Sequence, residues 1–261
     1  MSGSKSGSPA CCWALSSAYI ERLSRERWTL RSFYCSHAEL TDFFHTPNIV
    51  FFHPGNHEAG LLGGLRQYDR VVCNVGDPLT LKDADRQVEK TRAFSRLSQD
   101  FHNVVGGIVD DFSTAVAEGR MPVEMMEQTL AALKSRNASL QLQAVVYTMH
   151  FQIDLSPYLP FIDLINLWVW KGSDLRNLDA YVQEAARLFP GKPITLGLYL
   201  YDYGETCDTL PLDLVRFQFT RAAAYLEGGL IEGIHVLGSY LREELRTQQA
   251  QWVADFLADM G

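Results

Sequence analysis

The sequence lacks several features that would each define a class of protein. No apolar run approaches the ~20 residues of a membrane-spanning helix, and residues 1–10 (MSGSKSGSPA) lack the apolar core of a signal peptide. The 23 lysines and arginines form no cluster, although nucleic-acid binding needs a basic patch that neutralises phosphates. These absences argue against membrane and nucleic-acid partners, and they predict that residues 1–10 are a disordered leader.

Cysteine is scarce and follows no recognisable pattern. The five cysteines are an odd number and include the adjacent Cys11 and Cys12, which does not suit a disulfide framework. No CxxC or Cys/His spacing indicates a zinc site. We therefore expect a reducing compartment, which favours a cytoplasmic location.

What the sequence does contain is an alternation of short apolar segments and amphipathic helical patterns, typical of an α/β fold. At 261 residues, with 47% hydrophobic residues, the chain has the length of one (β/α)8 barrel, about 250 residues. We expect a single TIM barrel over residues 11–261, with an extra N-terminal helix at residues 13–25. Its eight strands are predicted at residues 29–35, 48–53, 70–75, 106–111, 142–149, 163–170, 194–202 and 231–237.

Helix signals separate most of these strands. Thr80 is a suitable N-cap for a helix over residues 81–101, and Pro122 suits the first turn of the next helix. Ser173 provides a further N-cap, and Gly228 with Gly229 ends a helix before the last strand. Residues 55–67 and 151–161 predict only short or irregular helices.

The most informative segment is residues 105–112 (VGGIVDDF), an apolar run that ends on two adjacent carboxylates. Catalytic groups of TIM barrels lie at the carboxyl ends of the strands, so Asp110 and Asp111 are candidates for the pocket. Side chains alternate along a strand, so only one of the two can face the axis while strand geometry persists. If Ile108 faces inward, Asp110 follows it, and we favour Asp110 as the inner carboxylate.

Alternation also identifies inward residues on other strands, because strands six and seven each carry an aliphatic row suited to the helix layer. Asn166, Thr195 and Gly197 are then inward, with Tyr203 further along. Indole and phenol rings stack on sugar C–H faces, and an indole also offers an N–H donor. A polar pocket with aromatic walls suits a polyhydroxylated ligand. The predicted substrate-binding residues are His37, His53, Asn74, Asp77, Tyr147, His150, Trp168, Trp170, Tyr199, Tyr201 and His235.

Three short runs carry a resemblance to known enzymes: residues 107–112 (GIVDDF), 166–170 (NLWVW) and 199–203 (YLYDY). With them the chain resembles glycoside-hydrolase-like (β/α)8 barrels, in which carboxylates from strand four and from a later strand flank the scissile bond. The resemblance implies a glycosidase that pairs Asp110 or Asp111 with Asp202 or Glu205 at the end of strand seven. The Asn-Glu pair of the largest retaining clan and the DxxDxDxE signature of chitinase-like barrels are absent, so no family is identified.

Other functions stay open. The barrel could be a non-catalytic carbohydrate-binding protein, or its last helix could bind phosphate at Gly238 and Ser239. The glycosidase hypothesis needs no cofactor and takes a small molecule or an oligosaccharide as its ligand. The sugar, the linkage, the stereochemistry and the oligomeric state are left open. A metal-dependent sugar isomerase or lyase would need a divalent ion, although no HxH or HExxH pair is present; its candidate ligands are His53, His57, Asp77, Asp110, His150 and His235.

Overall fold

The sheet of the protein is a closed barrel of eight parallel strands, as seen in a computed structural model that describes residues 10–15, 36–53, 57–76, 84–237 and 244–260. Neighbouring strands follow chain order around the barrel, and the last strand pairs with the first. The predicted TIM barrel is therefore confirmed. Its strands, with a two-stranded hairpin (β8 and β9) outside the barrel, are β1 (Ala10–Leu15), β2 (Asn48–Phe52), β3 (Arg70–Gly76), β4 (Val104–Val109), β5 (Gln141–Tyr147), β6 (Leu164–Trp168), β7 (Ile194–Tyr199), β8 (Tyr201–Asp202), β9 (Asp208–Thr209) and β10 (Gly233–Leu237).

Amphipathic helices cover the outside of the barrel. In the helix after β6, for example, Leu178, Val182 and Ala185 are buried at i, i+4 and i+7, the spacing that forms one apolar stripe. The short helix predicted after β2 is present, and after β5 the chain forms 3-10 turns at Thr148–His150 and Ser156–Phe161. The α-helices of the described residues are α1 (His37–Phe43), α2 (Ala59–Gly63), α3 (Ala84–Leu97), α4 (Phe112–Ala117), α5 (Val123–Lys134), α6 (Leu178–Leu188), α7 (Leu212–Glu227) and α8 (Gln248–Met260).

The barrel interior contains a buried polar network that joins three strands. The Asn166 side-chain amide on β6 lies 3.0 Å from Thr195 Oγ1 on β7 and 2.5 Å from His235 Nδ1 on β10. Burial lowers the pKa of His235 to about 3, so this ring is neutral at ordinary pH. Three residues that alternation predicted to face the axis thus meet one another, which confirms the assigned faces of these strands.

The first strand was assigned to the wrong segment. Residues 10–15 (ACCWAL) form β1, which pairs with β10 through residues 10–12 and with β2 through residues 12–15. The strand predicted at residues 29–35 and most of the helix predicted at 13–25 lie outside the described residues, but Trp13 to Leu15 are strand. A parallel strand that is buried on both faces has a continuous apolar sequence rather than an alternating one, and ACCWAL fits that description.

Several strands end earlier than the sequence predicts. Strand β4 ends at Val109, two residues before the predicted end, and β5 and β6 each stop two residues early. Strand β7 stops at Tyr199, after which Tyr201 and Asp202 pair antiparallel with Thr209 and Asp208. Because of these earlier ends, Asp110, Asp111, Trp170 and Tyr203 lie beyond the barrel strands. Among the described helices, none has the length and apolar character needed to cross a membrane.

Candidate active site at the carboxyl ends of the strands

A cavity of about 170 Å³ opens at the carboxyl ends of the barrel strands. This is smaller than the ~300–1,000 Å³ of sites for drug-sized ligands, and it suits a single small ring. Its described lining, here called the aromatic cavity, consists of two acids, five aromatic side chains and two aliphatic ones: Asp110, Asp111, Val145, Tyr147, Trp168, Trp170, Tyr199, Tyr203 and Leu237. Six of these, the two acids and four aromatic residues, were predicted site residues.

Both carboxylates face the aromatic cavity, so the expectation that only one of them could do so is wrong. Strand β4 has ended before Asp110, whose amide donates to the Gly76 carbonyl at 2.9 Å. Asp111 then adopts a left-handed conformation with φ 47° and precedes α4. Strand alternation no longer applies to such a turn. A positive φ at a residue other than glycine is strained and is often found at functional sites.

Hydrogen bonds hold the two acids in this turn. The Asp111 amide donates to Asp110 Oδ1 at 3.0 Å, which orients the first carboxyl group. The Tyr147 hydroxyl donates to Asp111 Oδ1 at 2.5 Å across the cavity wall. Each acid is thus positioned by a specific donor rather than by crowding alone.

The environment of Asp111 favours its protonated form. Burial raises the pKa of this carboxyl above its ordinary value, more than the Tyr147 hydrogen bond and the charge of Arg120 lower it. Burial also raises the pKa values of Tyr147 and Tyr199, with the nearby acids contributing, so both side chains remain phenols. A carboxyl whose pKa is raised stays protonated to higher pH than a solvated one, which suits proton donation.

The floor of the cavity is Trp168, which is 1% exposed. Its ring lies 4.6 Å from the Tyr199 ring, and its indole N–H donates to Asn166 Oδ1. Gly197 allows this position, because a Cβ there would overlap the indole ring. The indole N–H is therefore used within the barrel, and Trp168 offers a ligand only apolar surface.

Neither proposed partner acid from the end of strand seven lines the aromatic cavity. Asp202 is buried, and its carboxylate accepts hydrogen bonds from the amides of Gly172, Gly204 and Thr206 and from the Thr206 hydroxyl, at 3.0 to 3.2 Å. Glu205 is exposed in the turn between β8 and β9. Asp202 therefore holds the hairpin to Gly172 in the segment after β6, a structural role that strand alternation alone does not reveal.

We expect Asp202→Ala to destabilise the protein by about 1–3 kcal/mol, because the amides of Gly172, Gly204 and Thr206 lose their acceptor. Burial opposes ionisation of Asp202, but the hydrogen bonds outweigh it and lower its pKa. The stabilisation is therefore present above the ordinary carboxyl pKa, ~3.9, and is lost as pH falls through the lowered value. Urea unfolding at neutral and acidic pH measures this.

The control is Asp213→Ala, since Asp213 is exposed and only 3.7 Å from Arg176 in a surface ion pair. Its effect should be small. Equal losses in the two variants at neutral pH would contradict a structural role for Asp202.

Three predicted binding residues are not part of the described lining of the cavity: His37 in α1, His53 just after β2 and Asn74 in β3. His37 begins α1, and its Nδ1 lies 2.7 Å from the Tyr68 hydroxyl. Asn74 is buried, and its side-chain amide pairs with the backbone N–H and carbonyl of His53 at 2.8 and 3.1 Å. The two hydrogen bonds between Asn74 and His53 connect β3 to the residue that follows β2, so Asn74 has a structural role.

The remaining predicted residues have other positions. His150 lies beside the cavity, where Nδ1 contacts Ser113 Oγ at 2.9 Å, and His235 belongs to the interior network. Tyr201 packs on Tyr203 with ring centroids 4.9 Å apart. Asp77, Gly238 and Ser239 lie outside the described residues. Within the described ranges, no three His, Cys, Asp or Glu side chains are grouped closely enough to hold a metal ion.

Three residues of the cavity were not on the predicted list: Val145, Tyr203 and Leu237. Val145 and Leu237 lie two positions from the inward residues Tyr147 and His235, so alternation could have selected them. Tyr203 was expected on the inner side beyond strand seven, and it stacks on Trp170 with centroids 5.7 Å apart.

Comparisons with known proteins agree with this architecture. The GH18 chitinase from Pseudoalteromonas aurantia matches with a TM-score of 0.59 and 9% identity, covering 97% of this chain and 100% of the chitinase. A β-1,3-glucanosyltransferase from Rhizomucor miehei matches with a TM-score of 0.54 and 11% identity, covering 76% of this chain and 80% of the enzyme. The chain has the TIM-barrel fold of glycoside hydrolases. Such low identities show the fold and leave the activity open.

Some of the similar proteins are much longer. The Bacteroides uniformis β-glucuronidase 2 matches with a TM-score of 0.57 and 10% identity over 89% of this chain, which spans only 30% of the glucuronidase. Another glucuronidase from the same organism is matched over 26% of its length. The sequence matches no protein-family model, and no curated protein matches it.

Proposed function

We propose that the protein is a glycoside hydrolase that cleaves a bond next to a sugar ring seated in the aromatic cavity. The observation that carries this proposal is the position of Asp111, a half-buried carboxyl with a raised pKa inside a pocket walled by tryptophan and tyrosine. Aromatic walls suit the C–H faces of a sugar, and such an acid suits proton donation to a leaving group. The fold shared with glycoside hydrolases supports the same reaction class.

The proposed roles follow from the two acids. Asp111 in its protonated form gives its proton to the glycosidic oxygen as the bond from that oxygen to the anomeric carbon breaks. The Asp110 carboxylate stabilises the positive charge that develops on the sugar ring. A water molecule then adds to the anomeric carbon and releases a proton, which restores the acid form of Asp111.

This assignment differs from a mechanism with acids on opposite sides of the bond. Asp202 is committed to loop amides and Glu205 is exposed, and the described lining contains no carboxylate besides Asp110 and Asp111. The proposal therefore rests on the two adjacent acids of one wall. A non-catalytic carbohydrate-binding barrel is the second candidate, favoured by the same lack of an opposing acid among the described lining residues.

The test is a panel of fluorogenic methylumbelliferyl glycosides that differ in the sugar: glucoside, galactoside, glucosaminide, N-acetylglucosaminide and glucuronide. We expect release of the fluorophore from at least one of them. If none is cleaved by protein that is folded by circular dichroism, while sugars still bind by calorimetry, the carbohydrate-binding alternative replaces the hydrolase.

Tyr147→Phe should shift the alkaline limb of the pH–rate profile to higher pH. The Tyr147 hydroxyl lowers the pKa of Asp111 by stabilising its carboxylate, so its removal raises that pKa, and a general acid with a higher pKa stays protonated to higher pH. The control is Tyr181→Phe on α6, whose ring packs against Phe151. This variant should leave the alkaline limb where it is in wild type. An alkaline limb that does not move in Tyr147→Phe would argue against Asp111 as the acid.

We also propose that the protein works in a reducing, cytoplasmic compartment. Cys73 and Cys207 are free thiols, and Cys207 is exposed, where an oxidising compartment would favour its modification. Fractionation of the native host's cells tests this, and recovery of the protein only from the medium would contradict it.

A further inference from the structure

One part of the aromatic cavity is supplied by the β8–β9 hairpin, outside the barrel. Tyr203, in the turn of this hairpin, stacks on Trp170 with ring centroids 5.7 Å apart and an angle of 28° between the rings. Trp170 follows β6, and both rings line the cavity. This pair of rings is here called the hairpin wall, and its shape depends on how the hairpin lies against the segment that follows β6.

The hairpin turn packs closely on the segment that carries Trp170. Gly204 has no room for a side chain, because a Cβ there would lie 2.5 Å from Trp170 Cδ1 and 2.8 Å from the Trp170 carbonyl oxygen. Glycine permits an approach of this kind, since it has no Cβ. The contact brings Tyr203, the residue before Gly204, to the indole ring.

The buried carboxylate of Asp202 connects the two segments of the hairpin wall. Its Oδ1 accepts from the amide of Gly172, two residues after Trp170, at 3.1 Å and from the amide of Gly204 at 3.2 Å. Its Oδ2 accepts from the amide and the hydroxyl of Thr206 at 3.1 and 3.0 Å. A single carboxylate thus orders the hairpin turn and joins it to the segment after β6, on either side of the ring stack.

We propose that Asp202 is a positioning residue for ligand binding, because it holds Tyr203 against Trp170 and so maintains the hairpin wall. The carboxylate is not part of the described lining of the cavity, so it acts through the two rings. Loss of the carboxylate would leave amides of both segments without their acceptor and favour their separation. The inference rests on the proposed function in taking the ligand to be the sugar of a cleaved glycoside.

The ring stack can be measured without any ligand. In protein labelled with fluorotryptophan, fluorine NMR reports the surroundings of each indole, and a Trp170→Phe variant assigns the Trp170 signal. We expect this signal to shift in Asp202→Ala. It should shift less in Asp202→Asn, since asparagine keeps one of the two acceptor oxygens. The exposed control Asp213→Ala should leave the signal unchanged.

A Trp170 signal at its wild-type position in folded Asp202→Ala would overturn the proposal. If Asp202→Ala does not fold, Asp202→Asn decides in its place, and an unshifted signal in that variant has the same meaning.

Kinetics separate positioning of the ligand from stabilisation of the fold. With a methylumbelliferyl glycoside that the wild-type protein cleaves, Asp202→Asn should raise KM about tenfold, the scale of one aromatic contact. Its kcat should change little, because the two acids of the chemical step are untouched. A residue that only stabilises the fold would instead lower kcat, through the amount of folded enzyme, at an unchanged KM. That result would overturn the proposal.

Gly204→Ala displaces the hairpin by a second route that leaves Asp202 in place. The added methyl group would overlap the Trp170 ring, so we expect a raised KM here as well. Gly63→Ala in α2 is the matched control, because a Cβ at that position has no other atom within 4 Å. Equal KM values for Gly204→Ala and Gly63→Ala would contradict the dependence of binding on the hairpin.

The two proposals fail in different ways. If no glycoside is cleaved but the Trp170 signal shifts in Asp202→Ala, the hydrolase proposal fails and the role of Asp202 in the hairpin wall is supported. If a glycoside is cleaved but neither the Trp170 signal nor KM changes in the Asp202 variants, the positioning inference is wrong and the hydrolase proposal stands.

Discussion

Replacing Asp111 with asparagine should reduce the turnover of a responsive glycoside by at least about 100-fold, the range expected when a general acid is lost. Asparagine keeps the size of the side chain and accepts the hydrogen bond from Tyr147, but it cannot donate the required proton. It also tolerates the left-handed conformation at φ 47°. Initial rates and the KM, compared with wild type, measure the effect, and the KM should change little.

The same substitution should not destabilise the barrel at neutral pH. Burial raises the pKa of Asp111, so its contribution to stability is present below its unfolded pKa and is lost as pH rises through the folded value. Asparagine is uncharged, so the variant has no cost of burying an ionised carboxyl at residue 111. It should unfold at the same temperature as wild type or higher. Matched Glu205→Gln, at an exposed carboxylate, should keep full turnover. Loss of activity in both variants would contradict the assignment of Asp111.

Gly197→Ala should destabilise the protein by about 3 kcal/mol, the upper range for overpacking a core. The new Cβ would overlap the Trp168 indole ring. The indole has no room to retreat, since it is 1% exposed, hydrogen bonded to Asn166 and packed on Tyr199. Any shift of Trp168 also changes the floor of the aromatic cavity, so sugar binding should weaken together with stability.

Gly60→Ala is the matched control, because a Cβ at this position in α2 has no other atom within 4 Å. Alanine also favours the helix over glycine by up to about 1 kcal/mol, so this variant should be neutral or slightly stabilised. Urea unfolding of both variants measures the difference. Equal stability of Gly197→Ala and wild type would show that Trp168 can move, and would weaken the description of a rigid floor.

Strand alternation predicted the inner surface of the barrel well where strands are regular. Asn166, Thr195 and His235 meet in the interior, and Gly197 faces Trp168. These positions were accessible from sequence because two aliphatic rows identified the face that packs on the helices. Burial of one face is a strong signal, since a shift of one residue would expose the whole row.

The rule failed where strands end. It assigned one acid to the pocket because it extended β4 through Asp111, but a left-handed turn after Val109 directs both acids inward. The hairpin after β7 likewise removed Asp202 from the cavity, and one of the amides that Asp202 accepts from, Gly172, lies 30 residues away in sequence. The position of a strand end is decided by such tertiary contacts, which local patterns do not contain.

The most direct test of the proposed site is a crystal structure of the Asp111→Asn variant soaked with a glycoside that the wild-type protein cleaves. We expect one sugar ring between Trp170 and the two acidic positions, with a glycosidic oxygen within hydrogen-bond distance of the residue 111 side chain. A ring bound elsewhere on the protein, or in the cavity with its glycosidic oxygen turned away from residue 111, would contradict the proposed active site.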